Sequence, residues 1–257
     1  MKRNKLYLCV LALLTAFLIS CGNNTDMSNL EKKEKQVASE ALRKSLESGH
    51  VQERLKPFNV RKFHPYLSEE WIGNAVSYGC YREGQEPGKI GPSKQQILED
   101  LNIVSNYWNL IRVYNADDDT ERILEVIQEN KLPIRMMLGI WLANETNRPD
   151  QKAANINNVL RGIELANRFK DIVIAISVGN ETQVFWSFHN MDMARLINYI
   201  RVIRKNTLQP VTTADDYNFW NKPEAGRVAE EIDFIVTHIH PLWNSQTLET
   251  AIPWLDS

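Results

Sequence analysis

Ile172-Val173-Ile174-Ala175-Ile176-Ser177-Val178 runs directly into Gly179-Asn180-Glu181. The first seven residues are apolar at odd and even positions alike, apart from one serine. A strand that seeks burial on both faces belongs to a parallel sheet covered by helices. The run then breaks into a glycine, an amide and a carboxylate, a change from packing residues to chemistry-bearing ones. Outward from it, the same texture recurs at Ala75–Cys80, Leu110–Tyr114, Ile134–Trp141, Val211–Ala214 and Phe234–Ile239. Longer stretches of helical period separate these runs. Ile97, Leu101, Val104 and Trp108 share one face, as do Ile156, Val159, Ile163 and Ala166, and again Met193, Ile197 and Ile200. Asp118, Asp119 and Thr120 read as capping and dipole-matching residues at a helix start. That explains the acidic run beginning at Asp117 without a metal ion.

Strict alternation of strand and helix predicts an α/β fold with a parallel sheet. Two architectures satisfy it, a doubly wound open sheet and a (β/α)8 barrel. Gly84, Gly88 and Gly91 do not form a G-x-G-x-x-G turn, so the dinucleotide-binding sheet loses its main support. Polar and aromatic residues instead recur where the strands end. Tyr78 follows the first strand, Arg112 and Tyr114 end the second, and Trp141 ends the third. Asn180 and Glu181 end the fourth, Asp215 and Asp216 follow the fifth, and His238 and His240 end the sixth. A (β/α)8 barrel assembles its site on that rim. The sequence supplies about six of the eight βα units of such a barrel.

The N-terminus reads differently. Lys2, Arg3 and Lys5 precede an apolar run, Leu6 to Ile19, that is short for a membrane span. Leu18-Ile19-Ser20-Cys21 then closes it, the pattern of a secretory leader with a lipoprotein-type cleavage site before Cys21. Residues 1–20 are expected to be a signal peptide, residues 21–56 a polar and charged tether, and residues 57–257 the barrel. Cys21 is the expected lipidation site, which places the protein in the cell envelope on a bacterial membrane. Cys80 is then the one thiol left and has no intrachain partner. Its apolar neighbourhood suits a small buried residue better than a nucleophile. The formal charge of −2 falls to about −5 once the three leader cations are removed. A mildly acidic protein lacks the basic footprint of a nucleic-acid binder. No cofactor and no obligate protein partner are expected.

Six stretches resemble, in order and spacing, bacterial members of glycoside hydrolase family 17, the β-1,3-glucanases. They are Ala75-Val76-Ser77-Tyr78-Gly79, Ile111-Arg112-Val113-Tyr114, Met137-Leu138-Gly139-Ile140-Trp141, Ser177-Val178-Gly179-Asn180-Glu181, Pro210-Val211-Thr212-Thr213-Ala214 and His238-Ile239-His240-Pro241-Leu242-Trp243. The resemblance implies a retaining hydrolase of β-glucan. Such an enzyme uses two carboxyl groups about 5–5.5 Å apart, one as acid/base and one as nucleophile. It implies that Glu181 is the acid/base and that Asn180 donates to the sugar 2-hydroxyl. The family's nucleophilic glutamate belongs at the end of a seventh strand, beyond Ser257, so the chain alone is expected to be inactive. Glu249 lies in an amphipathic stretch and is a poor substitute.

His238 and His240 share one face of a strand. They are expected to position the nucleophile or to bind a hydroxyl. A metal site is the weaker reading, because no clear third ligand accompanies the pair. Trp141, Trp186 and Trp243 are candidate platforms for sugar rings. Arg112 and Asp215 are candidate walls of the site, with Tyr78 and Tyr114 beside them. A non-catalytic glycan-binding lipoprotein and a β-glucan transglycosylase remain open alternatives.

Overall fold

The computed structural model describes residues 24–256, with side chains from residue 33. The leader and Cys21 lie outside the described residues. The chain divides into two compact units, Met1–Lys44 and Ser45–Ser257. A helix over Asn24–Glu47 carries the charged stretch, and its described side chains up to Lys44 are mostly exposed.

In the second unit, six parallel strands form one sheet in sequential order. They are β1 (Ala75–Ser77), β2 (Leu110–Arg112), β3 (Arg135–Ile140), β4 (Val173–Asn180), β5 (Val211–Asp216) and β6 (Val236–His238). Four full-length crossover helices join the first five strands: α1 (Lys94–Val104), α2 (Asp118–Glu129), α3 (Gln151–Arg168) and α4 (Met193–Asn206). Short helical turns between Tyr217 and Ala229 carry the chain from β5 to β6. The sheet curls into a half-barrel, with β1 and β6 as its outer strands.

The local signals explain these elements. Ser93 and Gln96 form a reciprocal capping box that starts α1. Asp117 caps α2 by accepting from Thr120 N, so the cap falls one residue before the expected Asp118. Asp118 and Asp119 then lie in the first turn, where the helix dipole favours them. Trp108 lies beyond the end of α1 and is 37% exposed, because the helix stops at Val104. The central strands carry the core. Met136, Leu138, Ile140, Val173, Ala175, Ile176 and Val178 are all essentially inaccessible. Burying each large aliphatic side chain contributes about 1.5–3 kcal/mol. Cys80 is buried too, and burial pushes its thiol up to about 11, which leaves it inert as a nucleophile.

The segment expected to be tether up to residue 56 joins the compact unit earlier. Gln52 N donates to Asn198 Oδ1 at 2.7 Å, and Arg201 Nη1 donates to Gln52 O at 2.9 Å. Further on, Arg61 donates to Asp233, Gln209 and Arg204, and Phe63 stacks on Phe234. These contacts are specific and long-range in sequence, which composition alone does not display.

Candidate active site

Glu181 stands where the regular ladder of β4 breaks. The β4–β5 register shifts between Ser177 and Asn180. Gly179 takes φ +76° and Glu181 φ +51°. Left-handed backbone costs an L-residue about 1–2 kcal/mol. It persists where the surroundings over-determine it, and such strain gathers at functional sites. Here Glu181 N donates to Ala214 O at 2.8 Å, and Gln183 N donates to Asp215 Oδ2 at 2.9 Å. A bulge of this kind re-aims a side chain.

Asp215 was expected on the site wall. It is 0% exposed and lies beneath the loop that follows Glu181. Its second oxygen accepts from Asp216 N at 3.0 Å. Burial pushes its carboxyl up to about 6; nearby Glu181 adds to the rise, and the amides of Asp216 and Gln183 oppose it. Its place assigns it to holding the loop.

Around Glu181 the sequence-distant residues converge. His238 Nδ1 lies 2.8 Å from Glu181 Oε1. His238 Nε2 lies 3.1 Å from Arg112 Nη1, and Arg112 Nη2 donates to Asn180 Oδ1 at 2.8 Å. The guanidinium sits over the Tyr114 ring at 4.8 Å. Burial lowers the Arg112 pKa, while Tyr114 and Glu181 draw it back up. Because Asn180 Oδ1 is taken by Arg112, its amide nitrogen is left to donate outward. Ser77, Arg112 and Met137 stand side by side in the register, so β1 to β3 deliver this rim at one level.

The remaining contacts of the expected site residues vary. Tyr78 turns its hydroxyl to Asp100 on α1 at 3.1 Å, in a cluster with Arg82. Tyr114 donates to Ser77 Oγ at 3.2 Å and stays partly exposed. Trp141 is half-buried and meets His189 edge-on, with centroids 4.2 Å apart. Trp243 is 78% exposed and stacks on His240 at 4.2 Å. Sequence reasoning passed over His189. Its pKa is lowered by burial and drawn up by Glu181. It also passed over Phe185 and Phe188, which with Trp186 stand exposed on the loop after Glu181. The signal was there: an aromatic run, Phe185-Trp186-Ser187-Phe188, in a stretch without periodicity.

The structure also supplies what the histidine pair lacked in sequence. Glu181, His238 and His240 bring potential ligand atoms within 4.8 Å of one another. Hydrogen bonds already organise this group. Glu181 Oε1 and His238 Nδ1 engage each other, and His238 Nε2 faces a guanidinium whose permanent charge opposes a cation.

A parallel half-barrel, with an amide–carboxylate pair at the end of its fourth strand and an arginine–histidine network on that carboxylate, defines the barrel class of glycosidases. The chain belongs to the BtgE/BtgC glycoside hydrolase domain family, whose model matches residues 75–257. The glucan endo-1,3-beta-glucosidase btgC of Emericella nidulans is 25% identical over 178 residues, which cover 66% of this chain and 26% of that protein. The match therefore spans about a quarter of the length of such curated relatives. An endo-laminarinase from Formosa Hel1_33_131 shares the fold with a TM-score of 0.60 and 24% identity, over 66% of this chain and 50% of that one. A family 17 β-1,3-glucanosyltransferase from Rhizomucor miehei shares it with a TM-score of 0.53 and 24% identity, over 71% and 62%. The resemblance drawn from six short stretches is thus borne out as a glycoside hydrolase family with β-1,3-glucanase relatives.

Proposed function

We propose that this chain carries the acid/base half of a retaining β-1,3-glucan hydrolase, with Glu181 as the acid/base. The observation that carries the reading is the strained Glu181, held at the end of β4 with His238 on one oxygen and Asn180 beside it. In the first half-reaction the C1–O bond breaks and its electron pair stays on the leaving oxygen, which takes the proton of Glu181. A carboxylate on the opposite side of C1 closes the glycosyl-enzyme bond. Water then attacks C1, the bond from C1 to that carboxylate breaks with its electron pair returning to the carboxylate, and Glu181 takes the water's proton. Asn180 is free to donate to the sugar 2-hydroxyl. On this reading the nucleophile is a second carboxylate, distinct from Glu181 and placed on the opposite side of C1.

The test is Glu181→Gln in a polypeptide that carries both carboxylates. Glucan, a substrate with a poor leaving group, loses turnover by about 10²–10⁴-fold. An aryl glucoside with an acidic phenol loses far less, and azide restores turnover to give a β-glycosyl azide. Equal losses on both substrates without azide rescue remove Glu181 from the acid/base role.

We also propose that Cys21 anchors the protein to a membrane in the cell envelope through a lipid. The support is the basic, apolar, small-residue sequence of residues 1–21. Cys21→Ala abolishes incorporation of labelled fatty acid; equal labelling of variant and parent refutes the anchor.

A further inference from the structure

Arg112 and His238 stand in the site without an assigned task in proton transfer. We propose that Arg112 is a positioning residue that acts through His238, holding its imidazole as the Nδ1–H tautomer, so that Glu181 carries its catalytic proton on Oε2. The proposal rests on the acid/base reading of Glu181 and deepens it.

The argument begins with what a guanidinium can do. It has donors only. Arg112 Nη1 lies 3.1 Å from His238 Nε2, so Nε2 must present its lone pair. A neutral imidazole has one N–H. That hydrogen is therefore on Nδ1, 2.8 Å from Glu181 Oε1, which accepts it. A second hydrogen, on Nε2, would face the guanidinium donor to donor, so Arg112 also opposes the imidazolium. Arg112 is itself held in place: Nη2 donates to Asn180 Oδ1, and its plane covers the Tyr114 ring. Both partners of the Glu181–His238 bond are largely shielded from water, with side chains 26% and 15% exposed.

The consequence concerns Glu181. A proton on Oε1 would confront Nδ1–H at hydrogen-bond distance, so the acid carries its proton on Oε2. When the C1–O bond breaks, that proton passes to the leaving oxygen and Glu181 becomes a carboxylate. Oε1 still accepts Nδ1–H. In the second half-reaction Oε2 takes the water's proton, and the Oε1 contact again stays as it was. One fixed hydrogen bond serves both protonation states, which is electrostatic preorganisation without rearrangement at the reacting oxygen.

The test is nitrogen–proton correlation NMR of the 257-residue chain labelled with ¹⁵N-histidine. The chain has five histidines, and His238→Asn assigns the one in question. The parent shows His238 protonated at Nδ1, with Nε2 at the position of an unprotonated nitrogen. Arg112→Met keeps the bulk but removes the donors, so Nε2 is released to take a proton while Nδ1–H stays on Glu181 Oε1. Glu181→Gln keeps the Nδ1–H form, because its carbonyl oxygen accepts in place of the carboxylate. Resonances of His50, His64, His189 and His240 report whether each variant is folded. An Nε2–H or doubly protonated His238 in the parent overturns the proposal, as does an Nε2 that stays unprotonated in folded Arg112→Met. Should that variant fail to fold, the parent spectrum and Glu181→Gln decide. The readout needs no turnover. Its failure leaves Glu181 as the acid/base, and a failed azide rescue leaves the tautomer assignment standing.

Discussion

Asp215 is the residue whose surroundings most change its chemistry. Its carboxyl is raised to about 6 by burial, against an ordinary value of 3.8. A raised acid favours the fold while it is protonated. Its contribution is full below about 4 and is lost as pH climbs through about 6, a change of roughly 3 kcal/mol. Asp215→Asn removes that dependence. In urea titrations between pH 4 and pH 7, the parent loses about that much stability relative to the variant. Parallel pH profiles for the two proteins would refute the assignment. The sequence put Asp215 after the fifth strand and on the site wall; it lies within β5, fully buried. That it faces inward, under the Glu181 loop, depends on the bulge between Ser177 and Asn180, a register event involving two strands.

At the scale of elements, the alternation of period announced strands and helices within a few residues of their observed ends. Glycine positions test how closely these elements approach. At Gly139 on β3 a Cβ would lie 2.2 Å from Val113 O and 2.7 Å from the Tyr114 backbone. Backbone cannot swing aside, so Gly139→Ala forces β2 and β3 apart and costs 3 kcal/mol or more, about the upper end of overpacking losses. Gly226 has helical φ and open space around it. Gly226→Ala stabilises by about 0.4–1 kcal/mol through the unfolded chain. Thermal denaturation of the two variants checks both, and a similar Tm for both would contradict the packing argument. Gly139 was quoted in the sequence as part of a strand; its contact with the neighbouring backbone appears only once β2 and β3 are paired.

Across the whole molecule, one buried ion pair ties the segment before the sheet to the sheet itself. Arg204 on α4 and Asp233 before β6 are 3% and 0% exposed and pair directly. Asp233 also accepts from Arg61 N at 2.6 Å and Val211 N at 2.8 Å, and Arg204 reaches Asn59 O. Asp233→Ala leaves a buried guanidinium and two amides without their acceptor, and costs about 3–5 kcal/mol. A loss under 1 kcal/mol in chemical denaturation would show that the segment is held by other contacts. Arg204 and Asp233 lie 143 and 172 positions from Arg61, so no local pattern announces these partners.

Strand–helix alternation, the parallel sheet and the place of Asn180-Glu181 after the fourth apolar run were legible in the chain. These follow from local period and from a motif contiguous in the chain, which physical chemistry imposes within a few residues. Which groups surround Glu181 emerged from the folded sheet. It turned Tyr78 toward Asp100, buried Asp215, brought His238 and Arg112 to one carboxylate across three different strands, and set His240 against Trp243. Those outcomes depend on register and on side-chain direction at strand ends. A one-residue slip in pairing reverses which face a side chain takes, so the composition of the site is a property of the assembled sheet.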